Sequence, residues 1–576
     1  MKRAKQILML TIIMVMVIPS IALALMTDKD GRWHLMGKLK PQATFRTEDV
    51  PDNNPIPIKA GDMISQRNLL MLEFKHDIGE VWHGIDMAYY LQGRAFYDGV
   101  WDYGPHIFSD NNTRSRYCLC DAAKSGIKNR HQIKDFKWDA EFFDVYVDLT
   151  SGPLFARIGR QSMSWGEMST IRILDGTNPM DTSSLSVDLL ERLIPLWMAR
   201  LNLAFDFVGP FESLSVQTYY IPGKIDNTYQ EDMIDGSAVI PTIGRDMWYD
   251  RDDPWSMISL KDLMYQVDDD LEDDRYGVKI GAQIGGVDAN LAYYRMYSDM
   301  PVPRVNIDKF STIHVDHTLD LTNPLKSVMG DQLMEVVLTR DTVDVYGGSF
   351  NYQWDLINTV VRGEAAFFKD VPKMTPGTIP DMVKALAPKI DLGDFGSIDE
   401  LIQYISFKDA KGRDPMIMKL PFTCGEILKN DIIKYGIGFD KWFKIPLISP
   451  SDFMCSLEYV GSKNLDYKKN TIILPWSSPW DDNMDGYYDV TWEEEYSNTF
   501  IFITTTNYLT GDLAAQLVAM YEVEPKALVL IPSVKYSWRS LDFYVSYFMT
   551  KSEGYEGTLG MLDSRDEATF SITYNF

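Results

Sequence analysis

Apolar and polar residues alternate with a period of two along almost the whole chain, and this constrains the fold more than any other feature. From Trp138 to Leu149, Phe143, Val145, Val147 and Leu149 fall on one side, and Asp144, Tyr146 and Asp148 on the other. Val278, Ile280, Ala282 and Ile284 alternate with Lys279, Gly281 and Gln283, then Gly285-Gly286 turns the chain back. In 360–368, Val361, Ala365 and Phe367 oppose Arg362 and Glu364. About eighteen such segments, each of about ten residues, run from 32–47 to 564–576; that is the length a tilted strand needs to cross a bilayer.

The connections alternate as well. Short ones fall at Ile78–Val81 (between 66–78 and 82–98), Thr150–Pro153, Gly209–Pro210, Gly285–Gly286, Leu356–Asn358, Thr510–Asp512 and Arg539. Long ones fall at 99–137, 223–273, 299–341, 371–430 and 463–496. The pattern predicts an all-β fold: a transmembrane antiparallel β-barrel of about 18 strands (16 as the alternative), with short periplasmic turns and long external loops. In the final strand Phe570, Ile572, Tyr574 and Phe576 alternate with Ser571, Thr573 and Asn575. Tyr574 and the terminal Phe576 form the signal expected for a barrel-assembly machinery.

The composition agrees. Aromatics make up 12%, with 31 Tyr and 14 Trp, which suits a barrel with two aromatic girdles. A mean hydropathy of -0.18 is too polar for a bundle of transmembrane helices. A net charge of -26 excludes a duplex nucleic-acid binder. Lys2, Arg3 and Lys5, the apolar run Ile7–Ile18 and the cleavage site Ala22-Leu23-Ala24 predict a signal peptide over 1–24. Residues 25–576 then form a single barrel in the outer membrane of a Gram-negative bacterium, with no room for an N-terminal plug. The four cysteines, Cys118, Cys120, Cys424 and Cys455, make no disulfide scaffold; a bridge from 118 or 120 to 424 and unpaired thiols are both open.

The segment 164–193 is long, yet Trp165, Ile171, Ile173 and Leu174 need burial. It is expected to fold into the lumen and narrow it. Arg157, Gln161, Glu167, Arg172, Asp175 and Asp181 then line the pore or anchor the segment, and Arg94, Arg362 and Glu364 add interior charge. The acidic balance hints at a mild preference for cations. Asp481, Asn483, Asp485, Tyr487 and Asp489 follow the spacing of a calcium loop, but Trp492 stands at the twelfth position and Glu493 one late. Weak calcium binding and a solvated acidic loop both fit; no other cofactor is expected. The acidic run 268–274 reads as a solvated loop, or as a bridge to lipopolysaccharide through divalent cations. His314 and His317 lack a third metal ligand. Ser397 and Glu400 form a capping box before Leu401, Ile402, Tyr404 and Ile405, predicting a short amphipathic helix. No catalytic motif is present, and no enzyme is expected.

R-I-G-R-Q (157–161), W-G-E (165–167), L-D-x-x-N-P-x-D (174–181), I-P-L-W-M (194–198) and V-V-R-G-E-A-A-F-F (360–368) resemble a proteobacterial family known as domain-of-unknown-function family 1302. The resemblance implies an outer-membrane barrel whose relatives accompany periplasmic carriers and inner-membrane exporters of hydrophobic compounds. Three functions follow as expectations. The first is a channel passing small molecules passively or under gating. The second is export of hydrophobic compounds or lipids with periplasmic and inner-membrane partners. The third is a structural sheath or adhesion scaffold. Outer-membrane lipid and lipopolysaccharide are the expected surroundings.

Overall fold

The computed structural model describes residues 26–27, 30–49, 59–105, 138–180, 189–226, 263–267, 272–299, 302–305, 311–316, 334–375, 377–405, 419–420, 426–469, 493–524, 526–553, 557–560, 562 and 566–576. Eighteen long strands form one closed antiparallel sheet. They are β1 (Trp33–Arg46), β2 (Met63–Trp82), β3 (Ile85–Asp98), β4 (Trp138–Ser151), β5 (Leu154–Gln161) and β6 (Leu196–Val208). Next come β7 (Phe211–Ile221), β8 (Arg275–Ile284), β9 (Val287–Tyr297), β10 (Thr342–Trp354), β11 (Thr359–Met374) and β12 (Ile427–Lys444). The last six are β13 (Asp452–Asn464), β14 (Tyr496–Tyr508), β15 (Leu513–Glu522), β16 (Ala527–Trp538), β17 (Leu541–Lys551) and β18 (Glu567–Asn575). Each strand pairs with the next, and β18 pairs with β1 to close the barrel. At this seam Gly37 and Phe576 exchange backbone hydrogen bonds of 2.7 and 2.9 Å. The Phe576 ring lies over Gly37, stacked on Tyr574 at 5.5 Å, where any side chain at position 37 would collide with it.

The period of two places one set of side chains outward. On β6, Trp197, Leu201, Leu203 and Phe205 are exposed, while Leu196 and Met198 are buried. Leu291 on β9 is 70% exposed. Burying such a surface needs a lipid phase. The outward aromatics form two belts. Tyr276, Tyr293, Tyr346 and Phe367 touch in series across β8 to β11, with centroids 4.9–6.5 Å apart. Trp82, Trp354, Trp442 and Trp538, at or near the opposite ends of their strands, are also exposed. No helix among the described residues is long and apolar enough to cross a membrane.

Two local readings change. The first hairpin does not turn at Ile78–Val81. β2 continues to Trp82, the turn is His83-Gly84, and Gly79 at φ 78° sits at a bulge in the ladder. Glycine at positive φ marks a bulge as readily as a turn. On β4, Phe143 does not continue the outward face. Phe143 and Asp144 together oppose Gln92, a bulge that turns Phe143 inward beneath Arg94 at 4.1 Å and leaves Phe142 outside.

Among the described residues the connections carry five short α-helices: α1 (Val100–Tyr103), α2 (Leu189–Arg192), α3 (Ile379–Leu386), α4 (Ile398–Ile405) and α5 (Gly557–Gly560). α4 is the helix predicted from the capping box. Ser397 Oγ accepts the Glu400 N–H at 3.1 Å, but Glu400 returns to the Gly396 N–H at 2.7 Å. α3, which the spacing did not reveal, buries Val383 and Leu386.

Candidate functional site

β5 ends at Gln161, and the chain does not turn directly into β6. Residues 162–180 run as irregular backbone that buries Met163, Trp165, Met168, Ile173 and Leu174. These side chains pack against Tyr219, Tyr294, Val345, Phe368 and Ile432, which belong to the barrel face opposite the apolar band. Three glycines make the space. A Cβ on Gly277 would stand 2.9 Å from the Trp165 ring, one on Gly347 2.6 Å from Leu174, and one on Gly436 3.0 Å from both Met168 and Ile173.

Three carboxylates hold the segment. Asp175 Oδ1 accepts the Gly166 N–H at 2.7 Å, the Trp165 N–H and the Ser164 hydroxyl at 2.9 Å. Glu364 on β11 accepts the N–H groups of Glu167 at 2.6 Å, Met168 at 3.2 Å and Leu174. Glu458 on β13, fully buried, accepts the Ser169 N–H at 3.1 Å and an Arg362 N–H at 2.8 Å. Irregular backbone away from water must find such acceptors. Arg362 donates further to the Glu167 carbonyl and, at 2.9 Å, to Asp440. Asn178 accepts the Met163 N–H at 2.9 Å and donates to the Ile194 carbonyl at 2.9 Å. The Trp165 indole donates to Gln217.

Farther along, α2 is tied to other strands. Glu191 receives Lys38 at 2.5 Å and Lys40 at 3.2 Å from β1, and its carbonyl accepts Arg94 of β3 at 2.9 Å. The two lysines overcome the opposing effect of burial and hold the Glu191 carboxyl below its ordinary range. β1 and β10 are half a turn apart in an eighteen-stranded ring. Of the connection between β5 and β6, the described stretch 162–180 is attached to β11–β13 and the described stretch 189–192 to β1–β3.

Four of the residues singled out from the sequence are brought together here. Glu167, Asp175, Arg362 and Glu364 converge on one knot. Arg172 donates to the Asn178 carbonyl at 2.7 Å. Gln161 is buried and donates to the Met198 carbonyl at 3.2 Å. Arg94 binds Glu141 at 2.5 Å, and Arg157 binds Asp148 through two bonds of 2.6 and 2.8 Å. Asp181, the calcium-like loop Asp481 to Asp489, His317, and Cys118, Cys120 and Cys424 lie outside the described residues. Cys455 is a free thiol. Among the described residues no three His, Cys, Asp or Glu side chains cluster as a metal site. Sequence reasoning missed Glu458, Asp440, Asn178 and Gln217. Only the inward phase of their strands, read together with the register, would have marked the wall residues among them.

A family model described as "Protein of unknown function (DUF1302)" matches residues 6–576. The chain is a member of the DUF1302 family. Among solved structures, the DUF1302 barrel is similar to Pseudomonas aeruginosa OccK9 (9% identity, 94% of this chain and 98% of that one, TM-score 0.42). It is also similar to Acinetobacter baumannii OccAB2 (10% identity, 94% and 98%, TM-score 0.40) and to Salmonella typhi OmpF in complex with daunomycin (10% identity, 94% and 97%, TM-score 0.34). Among curated proteins none matches this DUF1302 chain.

Proposed function

We propose that this protein is an outer-membrane channel for small molecules, and that the segment between β5 and β6 constricts its lumen. The supporting observation is the double attachment of that segment, to Glu364 and Glu458 on one side and through Glu191 to Lys38 and Lys40 on the other. A strap fixed to opposing walls divides the lumen, and the groups along it set what passes. The closed sheet, the outward apolar surface and its aromatic belts fit insertion in a bilayer. The test is single-channel recording of the purified barrel in a planar bilayer. Steady conductance that rises when Glu364→Gln and Asp175→Asn loosen the strap supports the reading. A folded barrel without conductance overturns it.

A second reading, export of hydrophobic compounds sideways into the membrane, is favoured by the two prolines beside the last hairpin. Pro41 on β1 and Pro532 on β16 keep their pairing to β2 and β15, but each lies at a gap in the ladder facing β17–β18. Proline removes a ladder donor. A disulfide between Leu39→Cys and Tyr574→Cys, which pair directly, would stop lateral release while leaving ion conductance intact.

A further inference from the structure

Some charged groups around the strap are paired and others are not. Asp175, Glu364 and Glu458 are occupied by backbone N–H groups or by Arg362. Several inward-facing cations have no such partner. Arg200 of β6 lies opposite Arg157 of β5, whose guanidinium is already taken by Asp148. The Arg200 guanidinium sits 5.5 Å from the Phe155 ring, forms no ion pair among the described residues, and has its Nε buried without a hydrogen bond. Lys279 of β8 lies 5.7 Å from the Trp165 ring; it faces Glu167 and Asp175 without pairing with either. Across the strap, the Lys434 ammonium rests 4.6 Å over the Phe368 ring, again without an ion pair among the described residues.

The carboxylate that Arg200 faces, Asp148, is already bound by Arg157 through both oxygens; a partly buried guanidinium left without its own ion pair is costly, and a diffusible anion relieves that cost. The planar fork of an arginine pairs best with a carboxylate, and the half-buried Phe155 ring lies beside Arg200. From this arrangement we infer that the wall of β5, β6 and β8 beneath the strap binds small organic carboxylates through Arg200 and Lys279. This rests on the channel reading and gives it a substrate class. It also reverses the expectation drawn from the overall charge of -26.

The test is the reversal potential of the purified barrel across a potassium chloride gradient, with benzoate then added as probe. Anion selectivity with brief benzoate blocks is expected. The pair Arg200→Met and Lys279→Met should lower the anion-to-cation permeability ratio about tenfold, or about 1.4 kcal/mol, and abolish the blocks. Arg200→Lys should preserve most of the selectivity, and heat-modifiable migration on a gel confirms that each variant is folded. A conducting barrel that is cation-selective, or indifferent to the double substitution, overturns the inference and leaves the channel intact. If the barrel is electrically silent the channel reading falls, and calorimetry decides the inference alone. Benzoate heat that disappears in the double variant supports it; absence of heat refutes it.

Discussion

Glu364 is the residue on which the strap depends most, because one carboxylate satisfies three backbone donors that no strand partner can reach. Glu364→Gln keeps the shape but removes the charge and replaces one acceptor oxygen with a donor. Charge-assisted hydrogen bonds are worth about 1.5–3 kcal/mol each, so a loss of about 2 kcal/mol is expected as a lower denaturation midpoint, with noisier open-channel current. An unchanged midpoint would mean that the strap is held elsewhere. Glu191 makes a pH prediction. Its carboxyl is depressed in the folded state by Lys40 and Lys38 against the effect of burial, so the stability it contributes is complete above the ordinary value of 4.5 and is lost as pH falls through the lower folded value. Acid titration of stability below pH 4.5 should therefore be shallower in Glu191→Gln than in the parent. Equal slopes would place the acid sensitivity in other groups.

Elements show which parts of the fold are readable from local pattern. Strands are, because their period is set by the pleat and their ends by turn residues such as Gly285-Gly286, both at positive φ. Even so, the bulge opposite Gln92 inverted the expected side of Phe143, since a bulge depends on the neighbouring strand and leaves no period of its own. Trp165, Ile173 and Leu174 announced burial of the stretch 164–180, where the structure describes them as buried, and Asp175 stood out among them. Glu458, 289 residues away from its partner Ser169, did not, because only the closed register brings the two together. The glycines at 277, 347 and 436 were equally silent; each makes room for a side chain distant in sequence. α4 was announced by its own cap, and its stability is accordingly local. Ser397→Ala removes the acceptor of the Glu400 N–H, which costs about 1 kcal/mol. Amide exchange within Ile398–Ile405 should then quicken about fivefold with the barrel strands unaffected. Quickening throughout the barrel would show instead that α4 is part of the global cooperative unit.

For the whole molecule, the two faces of one sheet answer to different solvents. Outward, large apolar side chains stand exposed between two aromatic belts. Inward, the same strands carry Arg200, Lys279, Glu364 and Glu458. Successive residues of one strand therefore test the arrangement directly. Leu291 points outward and is 70% exposed, whereas its neighbour Asn290 points inward and donates to Ser349 at 3.3 Å. In water an exposed leucine tolerates replacement by a charged residue. In a bilayer, arginine near the midplane of a barrel's lipid face costs about 2–4 kcal/mol. Leu291→Arg should therefore lower the folding free energy into lipid vesicles by that amount, while Asn290→Lys, one residue away in the lumen, should cost well under half as much. Equal costs for the two would mean that the apolar band does not face lipid, and the membrane reading of this barrel would then have to be given up.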